Sequence, residues 1–349
     1  MVTTGDDSGE RELVLVSGGD GRVGRGLVAA LGGRFRVVGV DTEQQFEVVP
    51  GVPTLRPGGI GDGSSAAVLD PTHTAIGRRV AAFVHLAAEP DLRRADRLLR
   101  DLQADFEVEQ FIFATAMSTD APATGRSIRG RARLPAADLL RCARADLPVV
   151  PLRFGGIYTD AGDSPTLTTE ILRILARPLG DERSAEDPTI GADSAGQAFV
   201  HLDDAIEAIV ATILRRRQLP RDCVPIPISE PRTCSVERLR VEFARLLRGE
   251  QDWQTHEFPT ALVQAVTWLQ DRLTFDDLPD AAQGSGGVAP HSVDVRRAHD
   301  LIAWWPRHDL LETLPKIVRT LAHDPEGWAR RHDLSLAPDP IGEVRSRRI

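Results

Sequence analysis

The stretch LVLVSGGDGRVGRGLVAAL, residues 13 to 31, decides the fold. A short aliphatic run, LVLVS (13 to 17), has the composition of a strand, and RGLVAAL (25 to 31) has the apolar spacing of a helix. Between them Gly18, Gly21 and Gly24 stand in a G-x-x-G-x-x-G spacing. A strand that turns into a helix over three glycines makes a phosphate cradle. The first glycine permits a tight turn, the second lets backbone approach a pyrophosphate, and the third allows close packing of helix on strand. The helix start adds amide donors and a positive dipole end. FRVVGVD (35 to 41) supplies the next strand, so the order is strand, helix, strand, the unit of a parallel sheet. Asp41 ends that strand, where a carboxylate accepts from adenosine ribose hydroxyls and repels a 2′-phosphate; this favours NAD over NADP. Arg22, inside the turn, works in the opposite sense because it can meet a phosphate.

The same rhythm continues outward. AAFVHLAA (81 to 88), EQFIFATA (109 to 116) and LPVVPLRF (147 to 154) are continuous apolar runs suited to strands covered on both faces, and the helices expected at 94 to 107 and 134 to 145 are their covers. Further helices are expected near 165 to 176, at 235 to 247 with Ser235 as N-cap, and at 309 to 323. The expected architecture is α/β: a Rossmann-like, doubly wound parallel sheet over 12 to 160, completed by parts of 195 to 230. Residues 161 to 323 contribute a smaller C-terminal α/β substrate lobe. Residues 1 to 11 read as a leader without apolar period, 274 to 290 as a Gly/Ser-rich loop, and 324 to 349 as a polar tail.

Composition narrows the function classes. With 349 residues and 42% hydrophobic content the chain can bury a sizeable core. Its net charge of −9 provides no basic field for nucleic acid or an anionic membrane, so the expected partner is a small molecule. No apolar run is long enough to span a bilayer and the N-terminus is acidic, which points to the cytoplasm. Cys142, Cys223 and Cys234 lie far apart without a C-x-x-C, arguing against disulfides and zinc knuckles. His291, His299 and His308 are spread over a loop and helix, and His323 and His332 over the tail, so linear spacing indicates no metal site. The chain has one tyrosine, Tyr158, and one lysine, Lys316.

Five pieces in order give the sequence a resemblance to the extended short-chain dehydrogenase/reductase superfamily, specifically the NAD-dependent epimerase/dehydratase family. They follow the G-x-x-G-x-x-G turn and are HLAA (85 to 88), QFIFATA (110 to 116), LPVVPLRFGGIY (147 to 158), FVHLDDAIEAIV (199 to 210), and DVRRAHDLIAWWPRHDLLETL near the C-terminus. The resemblance covers about residues 12 to 323. It implies a cofactor held by Gly18, Gly21, Arg22, Val23 and Gly24, with Asp41 at the ribose and Asp62 near the adenine. It also places Leu86, Ala87, Ala88, Thr115 and Phe154 along the nicotinamide side, and implies a homodimer through the helices at 94 to 107 and 134 to 145. His201, Asp203 and Asp204 read as capping and anchoring a helix start rather than touching substrate. Arg153 suits either a substrate phosphate or a neighbouring carboxylate.

One part of the family pattern is missing. The family moves a proton with a tyrosine whose pKa is lowered by a lysine four residues on. Those registers fall on Arg129 and Arg133, and the family's Ser/Thr on Ala116, with Thr115 one residue before. Arginine cannot relay protons at neutral pH. No Tyr-x-x-x-Lys exists in any register, and the stretch between Ala88 and Glu109 is too short for the family's substrate-side loop plus helix. Thr115, Glu89 and Tyr158 are the candidate replacements, with Ser118 and His85 nearby in sequence; His85 also fits a core histidine. Two functions stay open: an atypical NAD-dependent oxidoreductase or epimerase on a nucleotide-sugar-like or small hydroxylated substrate, and a catalytically inactive NAD(H)-binding regulatory or scaffold protein.

Overall fold

The computed structural model of the chain describes residues 11–40, 52, 54–55, 79–86, 103, 106–117, 147–164, 167–168, 171–172, 196–248, 264–269, 292–332 and 334. Strand β1 (Leu13–Ser17) leads through the glycine turn into α1 (Arg22–Leu31), and β2 (Arg36–Val40) and β3 (Thr54–Leu55) follow. The sheet is extended by β4 (Arg79–His85), β5 (Glu107–Val108), β6 (Phe111–Ala116) and β7 (Val149–Phe154). The helix begins at Arg22 rather than Arg25 because Gly21 already serves as its N-cap.

The main sheet runs β3-β2-β1-β4-β6-β7 and then β10 (Ile226–Ile228), with β5 beside β4, and every pairing is parallel. Strand order reverses beside β1, so the glycine turn opens at the switch point where parallel α/β sheets bind ligands. A second, two-stranded parallel sheet pairs β8 (Gly156–Tyr158) with β9 (Phe199–His201).

Strand alternation divides the core into two faces. Val14 and Val16 point toward Leu27 and Leu31 of α1 and toward Ala205, Ile209 and Ile213 of α2 (Leu202–Leu214). Leu13 and Leu15 pack on the other face with Val38, Phe83, Phe111 and Phe113. α1 and α2 come close because Gly26 has no side chain: a Cβ there would stand 2.3 Å from Ile206 Cδ1. The helix α4 (Arg296–Ile302) and Trp304 close the same face.

A separate core forms the C-terminal lobe. Leu239, Phe243 and Leu246 of α3 (Val236–Arg248) meet Leu314, Ile317 and Leu321 of α5 (Leu310–His323) around Tyr158 and Phe199. Ser235 caps α3, its Oγ accepting from Arg238 N at 3.1 Å. Asp309 caps α5, accepting from Leu311 N at 2.8 Å and Glu312 N at 3.3 Å.

The polar-tail expectation for 324 to 349 needs correction over its first part. Asp324 accepts from Gly327 N at 2.8 Å, Pro325 occupies the first turn, and α6 (Pro325–Arg331) buries Trp328 completely against the C-terminal core. A single aromatic anchor folds an otherwise charged segment. Among the described residues no helix is long and apolar enough to cross a membrane.

Candidate dinucleotide site at the end of strand β1

The turn after β1 is shaped by its glycines. Gly18 adopts φ +71°, a left-handed conformation that disfavours any side chain, and Gly21 N donates back to Gly18 O at 3.3 Å. A Cβ on Gly24 would stand 2.3 Å from Gly18 O and 2.5 Å from Gly19 Cα, so the third glycine lets the turn fold onto its own helix. Above Gly21 the nearest atom to such a Cβ would be Gly18 O at 3.4 Å, leaving room for backbone to approach a ligand.

The start of α1 suits an anion. Among the described residues no side chain caps it, and its first turn contains no acid, so its amide donors and dipole favour an anion there. Arg22 adds a positive charge at the rim, donating to the carbonyl of Asp163 and standing 3.8 Å from the Asp163 carboxylate. These residues fit the pyrophosphate of a dinucleotide, judged by the cradle that a Cβ would fill.

Under the turn lies a buried polar pair. Ser17 Oγ and His85 Nδ1 are 2.6 Å apart at the ends of β1 and β4, and the imidazole stacks on Phe113 at 5.6 Å. His85 is therefore a satisfied core histidine. Leu86 backs the turn, its N donating to Ser17 O at 3.1 Å and its Cβ 3.3 Å from where a Gly18 side chain would begin. Val23 packs partly buried against the main core, and Phe154 is buried at the end of β7. Gly155 lies beside it so tightly that a Cβ would meet Ala198 C and O at 2.9 Å, so its smallness serves the approach of the segment leading into β9.

The chemistry-bearing candidates separate. Thr115 and Ala116 end β6 in register with Arg153 and Phe154. Alternation sets Thr115 on the face of Phe111 and Phe113, with Oγ1 3.5 Å from Leu152 O, and leaves only a methyl group at 116. Lys316 is exposed on α5, 3.4 Å from Asp160. Asp41, Asp62, Ala87, Ala88, Glu89, Ser118, Arg129 and Arg133 lie outside the described residues, as do nearly all of the helices expected at 94 to 107 and 134 to 145.

Tyr158 is fully buried in the C-terminal core, its hydroxyl donating to Glu230 Oε1 at 2.8 Å. Burial, and then the Glu230 carboxylate beside it, push its pKa far above the ordinary tyrosine value, the reverse of what a proton relay needs. Glu230 also accepts from Leu310 N at 3.1 Å, and burial raises its carboxyl to about 7. Tyr158→Phe is accordingly expected to lower stability by about 1–2 kcal/mol through loss of one buried hydrogen bond. NADH affinity should stay within a factor of about 2 of the parent. Thermal unfolding and NADH titration of the variant check both, and a large loss of affinity would return Tyr158 to the site.

Sequence reading missed Asp163 as the partner of Arg22, Ser17 as the partner of His85, and Glu230 as a buried acid. The first is a long-range pair with no local signal. Ser17 was readable only as the last residue of the strand before the glycines.

No protein-family model matches the sequence, and no curated protein matches it. Solved structures share its fold. UDP-galactose 4-epimerase aligns at 16% identity over 89% of this chain and 99% of that one, with a TM-score of 0.53. The Bordetella bronchiseptica enzyme WbmF in complex with NADH aligns at 14% over 93% and 96%, TM-score 0.54. dTDP-glucose 4,6-dehydratase from Bacillus anthracis, in complex with NAD, aligns at 14% over 91% and 98%, TM-score 0.52. At such identities the likeness shows the fold: a mostly parallel, Rossmann-type sheet with flanking helices and a C-terminal lobe.

Proposed function

We propose that this chain is an atypical member of the NAD-dependent epimerase/dehydratase family that binds NAD(H) at the end of β1. The observation that carries the reading is the turn itself: Gly18 at φ +71° and Gly24 closed to within 2.3 Å of Gly18 O for any added Cβ, ahead of an uncapped helix start. The solved complexes of the same fold with NADH and NAD support the class of cofactor. Asp41 favours NAD over NADP.

Bound NAD(H) supplies hydride transfer, and the substrate class we assign is nucleotide-sugar-like or another small hydroxylated molecule. The chain's own residues hold the pyrophosphate on the α1 amides and Arg22, and exclude water beneath the turn with Leu86, Ser17 and His85. Proton transfer falls to a group other than tyrosine, with Thr115 and Glu89 as the candidates. A second reading, an NAD(H)-binding regulatory protein without turnover, is favoured by one observation: the sole tyrosine is sealed in the C-terminal core on Glu230.

The test is titration of the full chain with NAD, NADH and NADPH, for the parent and for Asp41→Ala. Micromolar NAD(H) binding that weakens by roughly tenfold in the variant is the expected result. No binding at millimolar cofactor overturns the proposal. Substrate-dependent NADH formation over a panel of nucleotide sugars and small alcohols then separates the enzyme from the regulatory protein.

A further inference from the structure

Folding brings His308 onto His201 and Asp203, which lie about a hundred residues earlier in the chain. His201 ends β9, Asp203 lies in the first turn of α2, and His308 lies in the segment before α5. One ligand atom from each falls within 4.8 Å of the other two. The two imidazoles stack with centroids 4.0 Å apart, and His201 Nδ1 is 3.7 Å from Asp203 Oδ2.

Both rings have capacity left over. His201 is 4% exposed, and its Nε2 has no hydrogen-bond partner among the described residues, standing 3.7 Å from Asp160 Oδ1. His308 Nδ1 is likewise without a hydrogen bond; it lies 3.1 Å from Asp204 Oδ2 but lacks hydrogen-bond alignment. The Asp204 oxygen is already taken by the amides of Arg307 and His308, each at 3.0 Å. His201 Nδ1 accepts from Asp203 N at 3.3 Å as the cap of α2, which leaves Nε2 as its unpartnered nitrogen among the described residues.

The surrounding acids also suit a cation. Asp204 is 1% exposed and receives no guanidinium: the side chain of Arg307 pairs instead with Glu207. Asp160, Asp203 and Asp204 surround two imidazoles, and Lys316 reaches only Asp160. The positive end of α2 opposes a cation by roughly half a charge, which two first-turn carboxylates outweigh.

We propose that His201, His308 and Asp203 form a binding site for a divalent first-row transition ion of the zinc class. Two imidazole nitrogens and one carboxylate oxygen suit such an ion rather than magnesium or calcium. The His308 ring turns about its side-chain torsions to share the ion with buried His201, whose Nδ1 gives up its capping bond from Asp203 N to ligate beside the Asp203 carboxylate, and the exposed side of the site is completed by water. The ion clips the lead-in of α5 to the end of β9, tying the C-terminal lobe to the helix that covers the main sheet.

The experiment uses the full chain stripped with chelator, titrated with cobalt(II) followed by visible absorption and with zinc followed by thermal unfolding. One ion per chain is expected. Zinc at a hundred times its Kd should raise Tm by about 4 °C. His308→Ala is expected to weaken binding by roughly 100-fold and to remove the Tm rise, while its metal-free Tm stays near that of the parent. Asp203→Asn, at an exposed position, repeats the test should the histidine variant fold poorly. Absence of a shift at millimolar zinc overturns the proposal. So does binding of equal strength in both variants, which would locate the ion elsewhere, for instance on His323 or His332.

Discussion

Gly24→Ala is expected to abolish NAD(H) binding. The added Cβ meets Gly18 O at 2.3 Å and Gly19 Cα at 2.5 Å, and both are backbone atoms that cannot swing aside as the end of a side chain would. The turn must open. Its amides then leave the positions that face a pyrophosphate, and overpacking costs about 1–3 kcal/mol of stability in addition. A loss of more than about 3 kcal/mol in binding, over 100-fold in Kd, is the expected result of an NADH titration. Gly33→Ala is the control, since nothing among the described residues lies within 4 Å of a Cβ at that position. It should change neither binding nor Tm. Equal NADH affinity in Gly24→Ala and the parent would mean that the cofactor seat is not this turn.

The second large effect is a pH dependence of stability centred on Glu230. Burial raises its carboxyl from the ordinary 4.5 to about 7, against the hydrogen bonds from Leu310 N and Tyr158, which lower it. Between those values the folded chain holds a proton that the unfolded chain has released. Stability from this group is fully present below about pH 4.5, declines as pH rises, and levels off above about pH 7, a change of about 3 kcal/mol. Glu230→Gln imitates the neutral acid and removes the dependence. Parent and variant should melt within about 1 °C of each other at pH 5, and the variant should melt about 4 °C higher at pH 8. Comparing the two cancels the contributions of the other titrating groups. A gap that does not grow with pH would show that Glu230 is ionised in the folded protein.

The main sheet was legible because its signals are local. The five expected main-sheet strands appear at 13–17, 36–40, 79–85, 111–116 and 149–154. The missing acid–base pair was legible because it needed only a count of tyrosine and lysine. What the sequence hid were pairings made by the tertiary fold: Arg22 with Asp163, Tyr158 with Glu230, and His201 on His308. No periodicity encodes such pairs. The helix over Pro325–Arg331 was hidden differently, since its buried surface comes from Trp328 and Ala329 amid arginine, aspartate and proline. A hydrophobic average over that window reads as tail, while one indole is enough to dock it.

The cover on α1 has a bearing on how the chain must be made. Helix α2 and strand β10, which complete one face and one edge of the main sheet, come from residues 202–228, long after the glycine turn has been synthesised. On the ribosome Val14 and Val16 of the first 160 residues would have Leu27 and Leu31 of α1 against them, but their partners Ala205, Ile209 and Ile213 would not yet have emerged. Such long-range closure raises contact order and slows folding. The nucleotide-binding half thus completes its core and its sheet edge only once the later helix and strand have emerged.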